Sequence, residues 1–152
     1  MEKNIFSENN KLSNIAKFFL SGVLRNAKAL TFLTNPTANS YKRFVKGYEA
    51  PVKICWGYHD RSAMIRVPKA SVEATRIEMR SPDAMMNPYL GLTGILRAGL
   101  EGINNKDVWE KDKFSELLPS NIEEARIEFK KSKLLASMAK QVLCLPVRPF
   151  PS

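Results

Sequence analysis

Arg76, Glu78 and Arg80 stand at every second position of one short run, ATRIEMR. In an extended strand that spacing puts all three on one face, with Thr75, Ile77 and Met79 on the other. An Arg-Glu-Arg face backed by an apolar one is a polar floor laid over a core. The chemistry it suits is anion binding, because guanidinium forks match carboxylate and phosphate oxygens in pairs. A carboxylate among arginines serves as an ion-pair partner, or as a metal ligand beside a phosphate. Arg66 on a neighbouring strand-like run, Arg61 in the turn before it and Arg43 in an upstream loop can join this floor. Between residues 42 and 80, nine basic and four acidic residues give a net +5, over half of the chain's +9. Five of those nine are arginines.

The elements that must position these groups follow from periodicity. Leu12, Ile15, Phe19, Val23 and Leu24, continued by Leu30 and Leu33, predict one helix over 11–34, capped by Ser13 or Asn14 and stopped at Asn35-Pro36. Residues 35–50 show no period and predict an ordered loop. Three alternating runs follow: Val52 to Tyr58, Ala63 to Val67 and Thr75 to Arg80. With turn material between them, they predict an antiparallel meander whose core face includes Trp56 and Tyr58. Asn87-Pro88 opens a second helix through Tyr89, Leu92, Ile95, Leu96 and Leu100 to Gly102. Gly91, Gly94 and Gly99 are costly inside it and imply close packing against another element. Ser120 and Glu123 have capping-box spacing ahead of a last helix over about 121–143. The expected class is α+β, helices packed on antiparallel strands, with one domain over 1–145 and an irregular Pro-rich tail over 146–152.

Several functions are excluded or disfavoured. At 152 residues, 44% hydrophobic, the chain can bury a core. It holds no apolar run of membrane-spanning length and no secretory leader pattern. Cys55 and Cys144 are isolated, so a reduced, cytoplasmic protein is expected. His59 is the only histidine and has no Ser or Cys partner in sequence context, so it is taken as a surface turn residue. No Gly-rich phosphate loop exists. A nucleic-acid-binding sheet would need exposed aromatics at period-two positions, and none is evident. From the pattern alone, a solvated ion-paired face remains the alternative to an anion site.

At these residues the chain resembles glutamine synthetase of the bacterial and archaeal type I form. The matching stretches are NPTANSYKRFVKGYEAPV (35–52), DRSAMIRVP (60–68), ATRIEMRSPD (74–83) and NPYLGLTGILRAGLEGINNK (87–106). The resemblance implies ATP-dependent joining of ammonia to glutamate through γ-glutamyl phosphate. Spread phosphoryl charge calls for fixed cations more than for covalent chemistry, which suits a ring of arginines with divalent metals.

The same resemblance implies roles. Arg43 in SYKRF binds glutamate. Glu49 in GYEAP is a mobile-flap carboxylate that shields the acyl phosphate and helps deprotonate ammonium. Arg61 in DRSA serves both glutamate and the nucleotide phosphates, and Arg66 in MIRVP contacts ATP. Glu78 in RIEMR is a ligand for Mg2+ or Mn2+, while Arg80 binds glutamate and stabilises the transferred phosphoryl group. Arg76 stands near the nucleotide. The implied partners are glutamate, ammonia and ATP within a dodecamer-like homo-oligomeric ring, with neither nucleic acid nor membrane.

Lys46 stands where the family usually has Pro, Asp60 where it has Asn, and Glu73 where Lys is frequent. Nothing in the chain resembles the family's N-terminal domain, and Glu78 is the one metal ligand carried over. The expectation is a C-terminal portion of the catalytic domain, inactive alone and needing a complementary N-terminal portion. The alternative is a non-catalytic remnant, or an interaction protein that associates with full-length glutamine synthetase.

Overall fold

In a computed structural model, the protein is described over residues 3–109 and 116–143. The chain begins with a hairpin that the sequence reading lacked, β1 (Ser7–Glu8) against β2 (Lys11–Leu12). Asn9 and Asn10 turn it at positive φ, a conformation that Asn tolerates. Ser13 then caps α1 (Asn14–Arg25), accepting from Ala16 N and donating to the Ile5 carbonyl. The expected single helix over 11–34 is interrupted at Asn26 and resumes as α2 (Ala27–Thr34). Asn26 Nδ2 donates to the Gly22 carbonyl at 3.0 Å, and such competition from a side chain disturbs the helical ladder. Ile15, read as core, is 42% exposed; Ala16, Phe19, Leu20, Val23 and Leu24 form the buried face.

The predicted loop over 35–50 contains a 3₁₀ helix, Ala38–Arg43. Its start is fixed by a reciprocal cap between Thr37 and Ser40. The Tyr41 ring is buried there, and its hydroxyl finds no partner among the described residues. Burial pushes this phenol up to about 12. A raised phenol means that the unfolded chain ionises first, so the associated stability is intact below pH 10 and falls as pH climbs toward 12. Tyr41→Phe removes an unsatisfied buried hydroxyl. It is expected to raise stability by about 1 kcal/mol at pH 7 and to flatten this alkaline loss, read by urea denaturation at pH 7, 10 and 11.

The second predicted helix is α3 (Pro88–Asn105), with Asn87 Oδ1 accepting from Tyr89 N and Leu90 N and Pro88 at the first position. It runs three residues past Gly102 to a left-handed end at Lys106. The expected close packing is found at Gly99, which faces Phe19 of α1, and at Gly94, which faces Leu30 and Leu33 of α2, while Gly91 meets only Met86 just before its own helix. The tightest crossing is at Gly102, where a Cβ placed on Gly22 would lie 2.8 Å from Gly102 Cα. The last expected helix is two, α4 (Ile122–Lys131) and α5 (Lys133–Leu143), separated at Ser132. The α4 cap is Asn121 rather than Ser120, with Asn121 Oδ1 accepting from Glu124 N. Helix α4 packs on α2, where Phe32 and Phe129 stack 5.2 Å apart, and α5 packs on α3. The expected tail over 146–152 lies outside the described residues. Among the described residues no helix is long and apolar enough to cross a membrane.

The class is α+β, as expected, but the meander needs correction. The sheet has the order β3 (Trp56–Tyr58), β4 (Ile65–Val67), β5 (Glu78–Met79). The pair β4–β5 is antiparallel, whereas β3 and β4 run parallel. The cause lies in the turn. His59 takes a left-handed φ of 59°, and Asp60 Oδ1 holds Ser62 N and Oγ. The reversal begun at His59 is thereby undone before β4 starts. The first half of the predicted first strand pairs elsewhere, as Ile54 N donates to Glu116 O and Leu118 N to Val52 O. Met64 and Ile65 are both fully buried and, with Leu20, Leu24, Leu30 and Leu135, form the core under this sheet.

Candidate functional site

The polar floor forms where β4 and β5 pair. Arg66 and Glu78 are direct cross-strand partners, and such neighbours interact on one face of a sheet. Arg66 Nε and Nη2 both donate to Glu78 Oε2, at 2.9 and 2.6 Å. Arg76 Nε and Nη2 donate to the other oxygen, Oε1, at 3.1 and 2.9 Å. The opposite face, Ile77 and Met79, packs on the core. The Arg66 guanidinium, against the opposing effect of burial and with further help from Arg76, holds the Glu78 carboxyl below the usual carboxylate range.

Arg80 extends the floor. Its Nη2 donates to the Glu49 carbonyl at 3.0 Å and lies 3.9 Å from Glu49 Oε2. Its Nη1 is buried with no acceptor among the described residues. Glu49 itself projects fully into solvent from an open turn, in which Gly47 at φ +90° supplies a conformation that side chains disfavour. Glu49 borders two cavities. One, of about 590 Å³, is shared with Lys46, Lys53 and Arg61. The other, of about 500 Å³, is shared with Lys42, Arg43 and Tyr48.

The structure therefore brings together Arg66, Arg76 and Glu78, then Arg80 with Glu49, and places Arg61 across a cavity from Glu49. Arg43 is committed differently. Its Nη2 donates to Asn35 Oδ1 at 2.9 Å and to the Ser81 carbonyl at 2.8 Å, so it ties the end of α2 to the residue after Arg80. Sequence reasoning missed Asn35 and Ser81, which are both fully buried polar residues. The helix-stopping Asn35-Pro36 pair hid a side chain with a second task. Among the departures, Asp60 forms the turn contacts described above, while Lys46 and Glu73 are exposed. Tyr58, read as core, is 46% exposed and meets Trp56 edge-on. His59 is exposed in its turn, as expected.

A divalent cation does not fit Glu78 in this arrangement. Both carboxylate oxygens already accept from cations, and among the described residues no three His, Cys, Asp or Glu side chains converge as a metal site. What the floor offers is guanidinium donors. Glu78→Gln deprives both arginines of their anionic partner and leaves a single acceptor oxygen between them; it is expected to cost about 1 kcal/mol at pH 7. The Glu78 carboxyl is held low, so its contribution is present above the ordinary value of 4.5 and lost as pH falls through the lower folded value. Urea midpoints of the two proteins are therefore expected to differ at pH 7 and converge toward pH 3.

Comparison with known proteins matches residues 1–144 to a family described as glutamine synthetase, catalytic domain. The chain is 48% identical over 146 residues to a glutamine synthetase of Thermococcus kodakarensis, covering 86% of this chain and 33% of that one. It is 58% identical over 95 residues to a glutamine synthetase of Thermotoga maritima, covering 62% and 22%. Among solved structures it is similar to one described as a GmaS/ADP complex, with a TM-score of 0.72 and 30% identity, covering 95% of this chain and 41% of that one. The chain thus spans about a third of the length of the curated relatives it matches most fully.

Proposed function

The chain belongs to the glutamine synthetase catalytic-domain family, and on that premise we propose that it supplies the arginine floor of an ATP-dependent glutamate–ammonia ligase. The observation that carries this reading is Arg80, a mostly enclosed guanidinium whose buried Nη1 finds no acceptor among the described residues, beside Glu49 and next in sequence to the Arg66–Glu78–Arg76 cluster. A buried donor without an acceptor is costly, and a substrate carboxylate or phosphoryl oxygen is the partner that would satisfy it.

In the proposed reaction, a γ-carboxylate oxygen of glutamate attacks the γ-phosphorus of ATP. An O–P bond forms, the bond to ADP breaks, and γ-glutamyl phosphate results. Ammonia nitrogen then attacks the acyl carbon, and phosphate leaves with the C–O bonding pair. Arg80 would hold glutamate and the moving phosphoryl group, with Arg61 reaching both substrates. Arg66 and Arg76 would face the nucleotide phosphates; the similar solved structure is described as an ADP complex, which agrees with a nucleotide as ligand. Glu49, on its exposed turn, would accept the proton from ammonium and cover the acyl phosphate. Arg43 would act at the glutamate end while clamping Ser81. The Mg2+ or Mn2+ of the family would be held by carboxylates other than Glu78 as it is paired here, and would offset phosphate charge. A homo-oligomeric ring and a cytoplasmic setting complete the reading.

This third of the enzyme is expected to make no glutamine by itself. The test is to assay glutamine and ADP formation with the chain alone, then with the part of the Thermococcus kodakarensis enzyme lying outside the match. Activity only in the mixture supports the reading. Activity from the chain alone overturns the expected dependence on a complementary portion, and an inactive but associated mixture overturns the ligase reading.

A further inference from the structure

Helix α3 is apolar on two sides. One side, Gly91, Gly94, Ala98, Gly99 and Gly102, is buried, and α3 packs against α1, α2 and α5. On the other, Tyr89, Leu92, Leu96 and Leu100 repeat at spacings of three and four, yet are 82%, 54%, 54% and 53% exposed. Met85, just before the helix, is 68% exposed and lengthens the stripe. Only Arg97 and Glu101 are charged among the 18 residues of α3. A helix hydrophobic on both faces belongs between two layers, and here one layer is present. A continuous apolar stripe of this kind marks an interaction surface.

The family comparison says what is absent. The chain holds about a third of the length of its full relatives, and the matched region belongs to one catalytic domain. We propose that the leucine face of α3 is the docking surface for the remainder of that catalytic domain, whether it is carried on the same polypeptide or on a separate one. This rests on the family reading above and adds the surface through which the site is completed.

The test is association, measured without substrates. The chain is co-expressed with the unmatched part of the Thermococcus kodakarensis enzyme and examined by sedimentation velocity. The variants are Leu92→Arg/Leu96→Arg and, as an equally exposed apolar control on α4, Ile127→Arg. All three substituted side chains are solvent-exposed, so circular dichroism and the thermal midpoint should remain those of the parent chain. A 1:1 complex is expected for the parent and for Ile127→Arg, with affinity lowered about 100-fold or more in Leu92→Arg/Leu96→Arg. The proposal is overturned by an undiminished complex in the double variant, by equal weakening in the control, by a self-associated chain that excludes the companion, or by no complex at all. A complex that binds through the stripe but makes no glutamine fails the ligase reading alone. Glutamine formation that survives the double arginine substitution fails the docking proposal alone.

Discussion

Replacing Arg80 by alanine is expected to lower glutamine formation in the reconstituted enzyme by about 10²–10³-fold, the range found when one preorganised donor to a developing anion is removed. The buried environment is the reason for so large an effect. Its side chain is mostly enclosed, at 17% exposure, and one of its nitrogens has no acceptor among the described residues. The loss should appear mainly in kcat if Arg80 follows the transferred phosphoryl group, and mainly in KM if it only anchors glutamate. Arg80→Lys should rescue poorly, because an ammonium offers a point charge where the fork serves Glu49 and substrate together. Arg76→Ala provides the contrast. Arg76 is 54% exposed and occupied by Glu78, so its loss is expected to cost roughly tenfold or less, measured in the same assay.

The largest effect on stability is expected where α1 crosses α3. A Cβ on Gly22 would run into the Ala98 carbonyl, and one on Gly102 into the Phe18 carbonyl. Backbone cannot swing aside as a side chain can, so the helices must separate. Gly22→Ala and Gly102→Ala are each expected to cost about 3 kcal/mol, roughly 10 °C in thermal midpoint for a chain of this size. The double variant should cost less than the two added together, because the first substitution already opens the gap that the second needs. Gly91 is the control. A Cβ there meets only the flexible Met86 side chain, and alanine gains helix propensity, so Gly91→Ala should be close to neutral. Equal losses at Gly22, Gly102 and Gly91 in thermal unfolding would contradict this account of the crossing.

Much of this arrangement could be read from local pattern. Period two placed Arg76, Glu78 and Arg80 on one face, and the pairing of Arg66 with Glu78 follows once β4 and β5 are set side by side. Asn87-Pro88 marked the start of α3, because cap chemistry is local. The glycines announced a close crossing, although not which helix would make it. What was illegible depended on partners distant in sequence. Alternation could not say that β3 and β4 run parallel, since that is decided by two successive turns around His59 and Asp60. Nothing local told Arg43 that Asn35 and Ser81 would take its guanidinium. The apolar period through Tyr89, Leu92, Leu96 and Leu100 marked a helix but not their exposure; periodicity identifies a face that wants burial, not whether a second layer is present to bury it. The interruptions at Asn26 and Ser132 were hidden for the opposite reason, because apolar spacing continues across them while the backbone does not.

The central claim is that this chain carries a working share of a glutamine synthetase site, built on Arg80 and the Arg66–Glu78–Arg76 cluster. Its most direct measurement is a full-length chimera in which residues 3–143 replace the matching third of the Thermococcus kodakarensis enzyme, assayed for ATP-dependent glutamine formation. The account expects the assembled chimera to form glutamine and to lose about 10²–10³-fold of that activity with Arg80→Ala. A chimera that folds and assembles yet forms no glutamine, or one indifferent to Arg80→Ala, would contradict it.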